Sequence, residues 1–166
     1  MCKDMKELRK ALEDKFQEPD FRIVFCPLLG EEVVMLDKVC NLLLALQADY
    51  GRTHKAKITL FVEEAQEGIP TGTGQKNKQH GALMVAKAGR ALGINMIVAS
   101  QRMTTVDIGV RANLSYHCIF RLAEASDIQA AAEYVHDKLA LRVMRNLEYY
   151  LVAPGGEVKL YKLDIK

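Results

Sequence analysis

Two pairs of polar residues follow apolar runs in this sequence, and their types suit the hydrolysis of a phosphate bond. The segment KITLFVEEAQ, residues 57–66, ends an apolar run with the carboxylates of Glu63 and Glu64. A second run, residues 95–100, is followed by Gln101 and Arg102. At such a strand end one carboxylate can hold Mg²⁺, directly or through water, and the next can orient or deprotonate an attacking water. Taken alone, the two glutamates fit the start of a solvated loop equally well.

These side chains can act on one ligand only if the elements that carry them are neighbours. The run at residues 58–62 predicts a strand buried on both faces. Two strands present their polar ends to one ligand when they are parallel and adjacent, which requires a crossover helix. Residues 81–92 predict that helix. Because open α/β sheets bind ligands at the carboxyl edge, we expect the two glutamates and Gln101 to share one site there.

The remaining elements continue an alternation of strands and helices. The apolar spacing predicts helices over residues 4–16, 31–51, 105–112 and 127–147, with a break near His136 in the last of them. Further strands are predicted over residues 21–28 and 116–122. Residues 147–154 and 157–165, separated by Gly155 and Gly156, predict a terminal β-hairpin. The chain is therefore expected to form one α/β domain over residues 1–166.

Residues 67–80, EGIPTGTGQKNKQH, interrupt this pattern. Glycine, proline and threonine predict a mobile loop without regular structure. The segment superficially resembles a phosphate-binding loop, but Gln75 precedes Lys76 where the motif requires Gly-Lys-Ser/Thr, and the segment follows the wrong strand. One interpretation is a loop facing the pore of a ring, with Lys76 and Lys78 contacting DNA phosphates. A disordered surface loop is the alternative.

Composition limits the function classes. The chain has 166 residues and is 49% hydrophobic, enough for one core. Its 23 basic and 21 acidic residues give a net charge of +2, so DNA binding would need a local patch or a ring of copies. No signal segment or apolar run of membrane-spanning length is evident, and we expect a cytoplasmic protein.

Cysteine and histidine spacing gives no sign of a metal or redox site. The cysteines are far apart in the sequence and form no Cys-x-x-Cys pair. We expect buried, reduced thiols at Cys2, Cys26, Cys40 and Cys118. The histidines, likewise scattered, are His54, His80, His117 and His136.

One stretch of the chain resembles the HerA/FtsK family of DNA-translocating ATPases, from about residue 21 to the C-terminus. The residues that carry the resemblance are the acidic strand end and the positions Arg90, Gly93, Ile94, Ala99, Ser100, Gln101 and Arg102. The resemblance implies a RecA-like P-loop fold, a mostly parallel sheet with flanking helices and a C-terminal hairpin. It also implies ATP and Mg²⁺ as cofactors and a homo-oligomeric ring, typically hexameric, with DNA passing through the pore.

The family's residue roles transfer to this chain position by position. Glu63 resembles the Walker B acid that holds Mg²⁺, and Glu64 resembles the catalytic carboxylate. Gln101 resembles the sensor that contacts the γ-phosphate or its water. Arg90 resembles the arginine finger that enters a neighbouring subunit's site, and Arg111 is a second candidate. For each arginine the alternative is an exposed or helix-capping ion pair.

The chain departs from the family at two points. No G-x-x-x-x-G-K-[ST] segment occurs, so the first strand, phosphate loop and helix of the family are missing. The family usually has Asp where this chain has Glu63. Two hypotheses follow: a C-terminal part of a ring-forming DNA motor with its phosphate loop encoded upstream, or a nucleotide-free module that retains the fold for assembly or regulation. Without the loop, ATP hydrolysis by this chain alone should be very weak.

Overall fold

The computed structural model describes residues 2–15, 18, 20–54 and 57–164, with backbone alone for residues 50–54. The predicted α/β class is confirmed. A parallel strand pair is flanked by helices, and a three-stranded antiparallel sheet contains the predicted C-terminal hairpin. The ends predicted for the first helix and the hairpin, Phe16 and Ile165, lie outside the described residues.

The N-terminal part contributes two helices. Helix α1, Met5–Lys15, buries Leu8 and Leu12 on the predicted apolar face. Helix α2, Glu32–His54, continues three residues beyond its expected end at Gly51. A glycine inside a helix costs only about 1 kcal/mol, which the packing of a 23-residue helix offsets.

The strand expected over residues 21–28 does not form a ladder. Within the described residues, only Phe25 of this segment forms a bridge, which is parallel to Cys2. Side chains alternate as in a strand: Ile23 packs against the core and Val24 is 59% exposed. The predicted strand is therefore wrong, because the described partner of this segment is a single residue, which is too short to form a strand pair.

The central part of the chain builds the predicted parallel pair. In order, its elements are β1 (Ile58–Val62), α3 (Ala65–Gly68), α4 (Thr73–Lys76), α5 (Gly81–Ala88), a 3₁₀ turn (Gly89–Leu92) and β2 (Ile94–Val98). Strands β1 and β2 are parallel and in register from the pair Ile58 and Ile94 to the pair Val62 and Val98. Because α5 crosses between them, both strands end at the same edge.

The expectation that β1 is buried on both faces is wrong. Its inward residues Ile58 and Val62 are buried, but Phe61 is 58% exposed. Its register partner Ile97 on β2 is 51% exposed. Both lie on the face of the pair opposite to α2 and α5, and a continuous apolar run cannot show which face a helix will cover.

The C-terminal part forms a second sheet with its own helices. Its elements are α6 (Ile108–Asn113), β3 (His117–Phe120), α7 (Ala125–Val135), α8 (Lys138–Val143), β4 (Glu148–Val152) and β5 (Val158–Lys162). The strand order is β3-β4-β5, antiparallel throughout. The predicted break at His136 is confirmed, because this residue adopts a left-handed conformation with φ 63° between α7 and α8.

Two clusters of buried residues form the core. The first joins α1, α2, α5 and the parallel pair, and the second joins β3, β4, α7 and α8. The prediction of buried thiols holds for Cys2 and Cys40 but is wrong for Cys118, which is exposed on β3, and for Cys26. Burial raises the pKa of the Cys40 thiol to about 12. Within the described ranges, none of the helices is long and apolar enough to span a membrane.

Candidate active site at the carboxyl edge of the parallel strands

The two glutamates stand immediately after β1, at its carboxyl end. Both side chains are exposed. Glu64 has φ 48° and ψ 52° and occupies the N-cap position of α3, where its side chain forms no capping hydrogen bond. A left-handed conformation is uncommon for a non-glycine residue and turns the chain sharply out of the strand. The strand end therefore presents both carboxylates to solvent at the sheet edge.

Gln101 meets Glu64 at this edge. The backbone extends the pairing of the two strands by one step, with Ala99 N donating to Val62 O at 2.9 Å and Ala65 N donating to Ala99 O at 2.9 Å. Beyond this point the Gln101 Nε2 donates a hydrogen bond to Glu64 Oε1 at 2.8 Å. The structure thus brings together the predicted carboxylate and the predicted sensor, as the parallel pairing requires.

Gln66 and Ser100 extend this network. Gln66 Nε2 donates to the other carboxylate oxygen, Glu64 Oε2. Ser100 Oγ in turn donates to Gln66 Oε1 at 2.7 Å. Hydrogen bonds from Gln66 and then Gln101 lower the pKa of Glu64, since they favour its charged form. We expect Glu64 to be ionised at neutral pH, with each oxygen already accepting one amide.

The sequence reasoning missed Gln66 as a site residue. Its signal was its place two residues after Glu64, where a strand gives way to a helical turn and an amide can reach back to the carboxylate. Ser100 was noted only as part of the family motif. Together they link the end of β1 to the end of β2.

A second network ties the edge to α7. Asp127, only 2% exposed, accepts hydrogen bonds from Arg102 Nε at 3.0 Å and from Thr104 N at 2.8 Å. The Thr104 hydroxyl donates to the same carboxylate at 2.7 Å. Burial alone would raise the pKa of Asp127, but the hydrogen bonds and the Arg102 charge lower it overall. Arg102 therefore serves to connect the two parts of the molecule.

Glu63 is a residue that could hold a metal ion. It is exposed, and no side-chain hydrogen bond or ion pair is formed by it within the described residues. Its oxygens are therefore open to a cation, which fits the Mg²⁺ role implied by the resemblance despite the longer side chain. No group of three or more potential metal ligands occurs in the described ranges, so nucleotide oxygens and water would have to complete the coordination.

Arg90 and Arg111, the two candidates for an arginine finger, do not contact Glu64 or Gln101. Arg90 belongs to the 3₁₀ turn before β2, at the amino end of the strands, and is exposed. A five-residue strand separates it from the Gln101 edge, roughly 16 Å. Arg111 Nε donates to Val106 O at 3.2 Å. The pKa of His117 on β3 is lowered, mainly by burial and second by the positive charge of Arg111. Neither arginine contacts Glu64 within one chain.

The expectation of a loop without regular structure at residues 67–80 is wrong. The segment contains α4 and the end of α3, and Pro70 forms a bridge with Val106. The buried Asp107 caps α6 and also accepts Gly74 N at 2.9 Å. This amide is engaged by the protein's own carboxylate, which agrees with rejecting the segment as a phosphate loop. Long-range hydrogen bonds explain the order, which glycine content alone cannot reveal.

Lys76 and Lys78 are exposed on this ordered segment, and neither forms an ion pair within the part of the chain that the structure describes. Lys76 borders a cleft of about 360 Å³ that also includes Asp37, Thr71 and His80. Because Glu63, Glu64 and Gln101 do not line it, this cleft is separate from the carboxyl edge.

Comparison with known proteins identifies fold relatives. No protein-family model and no curated protein matches the sequence. Among solved structures, the genome packaging NTPase B204 from Sulfolobus turreted icosahedral virus 2 in complex with sulfate matches with a TM-score of 0.71, 12% identity and coverage of 92% of this chain and 72% of that chain. The complex of the same protein with AMP matches with a TM-score of 0.66 and 11% identity, and the match covers 85% of this chain and 67% of that chain.

B204 from Sulfolobus turreted icosahedral virus, described as the DNA-packaging ATPase, matches with a TM-score of 0.65 and 14% identity. The match covers 84% of this chain and 65% of that one. At these identities the likeness establishes the fold, which is that of a packaging NTPase, and about a third of these relatives' length has no counterpart in this chain.

Proposed function

We propose that this chain is the part of a ring-forming, ATP-driven DNA motor that carries the acidic strand and the sensor strand, of the kind that packages genomes. One observation carries the proposal: Glu64 and Gln101 hydrogen-bond at the carboxyl edge of two adjacent parallel strands, in a fold similar to that of packaging NTPases. In such sheets this edge binds the ligand.

In the proposed mechanism Glu64 orients or deprotonates the attacking water. Its lowered pKa keeps it ionised, and its carboxylate is already aimed at the edge by Gln66 and Gln101. Each oxygen accepts one amide hydrogen and keeps a lone pair with which it can accept a hydrogen bond from water. Gln101, at the end of the neighbouring strand, then faces the same water or the terminal phosphate.

Mg²⁺, when bound with ATP, would neutralise developing phosphate charge, and Glu63 would be its protein ligand. The chain does not fit the rest of the nucleotide equally well. No Gly-Lys-Ser/Thr segment occurs in the sequence, and the amide of Gly74 in the nearest glycine-rich turn is occupied by Asp107. The phosphate cradle would therefore have to be supplied by residues outside these 166.

The lack of a Gly-Lys-Ser/Thr segment in these 166 residues also supports a second candidate function. Without a phosphate loop the chain would be a nucleotide-free module that assembles with an active partner and supplies an arginine to it. The exposed Arg90, which lies away from Glu64, is compatible with this role as well as with the first. DNA contact through Lys76 and Lys78 is proposed for the motor alone.

Substitution of Glu64 distinguishes the two functions. In the complete natural protein that contains this chain, with DNA and Mg²⁺ present, Glu64→Gln should lower kcat about 10²- to 10⁴-fold with little change in KM, because the amide keeps the shape but removes the base. Glu67→Gln, at an exposed glutamate three residues on, is the matched control. Unchanged turnover in Glu64→Gln would reject the assigned role, and no turnover in the unsubstituted protein would favour the nucleotide-free module.

A further inference from the structure

The turn before α2 exposes apolar side chains beside carboxylates. Leu29 is 99% exposed, Leu28 68% and Val34 56%. The turn is nonetheless ordered, because Glu31 N donates to Leu28 O at 3.0 Å. The acidic patch is defined as Leu28, Leu29, Glu31, Glu32 and Val34. Lys38, one helical turn beyond Val34 on α2, is a cation next to the acidic patch.

Helix α8 exposes a second apolar surface with the opposite charge. Leu139 is 70% exposed and Val143 is 67% exposed, and their spacing of four residues puts them on the same side of the helix. The basic patch is defined as Lys138, Leu139, Arg142, Val143 and Arg145. The three cations are exposed and form no ion pair within the described residues.

The acids next to the basic patch are engaged with the backbone. Asp137 accepts the amides of Leu139 and Ala140, and Glu148 accepts the amide of Arg145 at 2.8 Å. They reduce the local charge but leave the guanidinium and ammonium groups without a carboxylate partner. Lys138 donates to the Gln129 side-chain oxygen.

The two patches are complementary in both chemistry and sign. Each has exposed aliphatic side chains at its centre, and one is flanked by carboxylates and the other by cations. Contiguous exposed apolar groups rimmed by charge are typical of protein interfaces. Within one chain the patches do not cover each other, because Leu29 and Leu139 remain 99% and 70% exposed.

We propose that the acidic patch of one copy of this chain docks on the basic patch of a second copy. Such a contact is head-to-tail, so each subunit uses a different surface toward each neighbour, and successive contacts produce a ring or an open filament. The proposal deepens the ring assembly of the proposed function. A nucleic acid on the basic patch is less well matched, because phosphates would leave Leu139 and Val143 without an apolar partner.

Complementation between two variants tests the head-to-tail geometry. Leu29→Lys and Leu139→Asp each remove the apolar centre of one patch, place there a charge like that of the facing patch, and leave the other patch intact. We expect the unsubstituted chain to form assemblies larger than dimers by sedimentation velocity, and each variant alone to be monomeric. Their equimolar mixture should give dimers and nothing larger, because only one of the possible junctions has two intact patches. Ile108→Asp, at a 60% exposed position outside both patches, should assemble normally.

Charge exchange gives an independent check. Arg142→Glu and Glu31→Arg should each weaken association about tenfold, because like charges then meet across the contact. Combining both in one chain should recover most of the loss. Circular dichroism should show unchanged folding in all variants, since every substituted residue is exposed.

The proposal is overturned if the unsubstituted chain stays monomeric at about 100 μM, if the mixture of the Leu29→Lys and Leu139→Asp variants remains monomeric, or if the combined charge exchange recovers nothing. It is also overturned if Arg142→Glu leaves association unchanged but weakens binding to a duplex DNA oligonucleotide, since the basic patch would then bind nucleic acid. No nucleotide is used in the association measurements, so their failure would leave the Glu64 experiment unaffected.

Discussion

Glu64 is held from both sides at the level of single residues. Its two oxygens each accept an amide hydrogen from a glutamine, and these glutamines belong to different strand ends. The arrangement keeps the carboxylate ionised and fixed in direction. In the proposed function, a carboxylate held in this way is positioned before any ligand arrives and keeps lone pairs that can accept a hydrogen bond from water.

Asp127 is a buried carboxylate whose hydrogen bonds should contribute to stability. It is buried and accepts hydrogen bonds from Arg102 and Thr104. We expect Asp127→Ala to lower the free energy of unfolding by about 1–3 kcal/mol at pH 7, because the Thr104 amide and hydroxyl lose their acceptor. Urea denaturation measures the change, and Asp137→Ala, at an exposed helix cap, provides a comparison with a loss of about 1 kcal/mol.

The carboxylate of Asp127 should also make the free energy of unfolding depend on pH. Its pKa in the folded state is lowered, so its contribution is fully present above the ordinary Asp pKa of about 4 and is lost as pH falls through the lower folded value. The difference in unfolding free energy between the unsubstituted chain and Asp127→Asn should therefore shrink below about pH 4. A difference that stays constant down to pH 2 would contradict the assignment.

At the level of elements, the contact between α2 and α5 sets the position of the crossover helix. Gly81 opens α5 against α2, and its amide donates to Asp37 Oδ1 at 2.5 Å. A Cβ at this position would lie 2.6 Å from Asp37 O and 2.7 Å from the Cys40 Cβ. The close approach therefore depends on the absence of a side chain.

This close approach gives a matched pair of substitutions. Gly81→Ala should destabilise the chain by about 1–3 kcal/mol, because the backbone of α2 must move. Gly68→Ala should cost less, since its Cβ would meet the flexible end of Leu36 at 2.8 Å. Thermal unfolding of the two variants compares them directly. Equal losses would mean that the helices separate without strain.

For the whole molecule, the absent phosphate loop makes a prediction about nucleotide affinity. We expect this chain by itself to bind ATP·Mg²⁺ more weakly than about 1 mM, because Glu63 and Gln101 can contact the nucleotide at its metal and terminal phosphate only. Calorimetric titration measures the affinity. A micromolar Kd would need about 8 kcal/mol of binding, and would mean that another part of the chain contacts the phosphates.

Arg90 tests whether the molecule works in a ring. It lies at the amino end of the strands, away from Glu64, so any role as an arginine finger must be played in a neighbouring subunit. In the complete protein, Arg90→Ala and Glu64→Gln should each abolish most ATP turnover. Mixing the two variants should restore part of it, because some junctions pair an intact Glu64 with an intact Arg90.

The large loss of ATP turnover expected on removing an arginine finger makes the mixing experiment sensitive. Loss of an arginine finger can lower turnover by about 10³-fold, so a minority of repaired junctions should be visible. ATPase rate is measured against mixing ratio at constant total protein, with co-assembly verified separately. Turnover that stays at the level of the inactive parents despite co-assembly would assign Arg90 a structural role. Arg111, held by Val106, should show no such complementation.

The sequence alone determined the order of elements around the site. Apolar runs that end in Glu63, Glu64 and Gln101 identified both parallel strands, and the need for a crossover placed their ends at one edge. Helix boundaries were less secure, since α2 passes through Gly51. These features are local or follow from connectivity rules, so the chain order is sufficient to predict them.

The tertiary structure decided which faces are covered and which side chains meet. The exposure of Phe61, the order of residues 67–80 and the partnership of Asp127 with Arg102 all depend on residues far away in sequence. Gln66 became a site residue only because the left-handed turn at Glu64 brings its amide to the carboxylate. The contact of Gln66 with Glu64 is local, whereas the others arise from packing between elements, about which residue spacing along the chain carries no information.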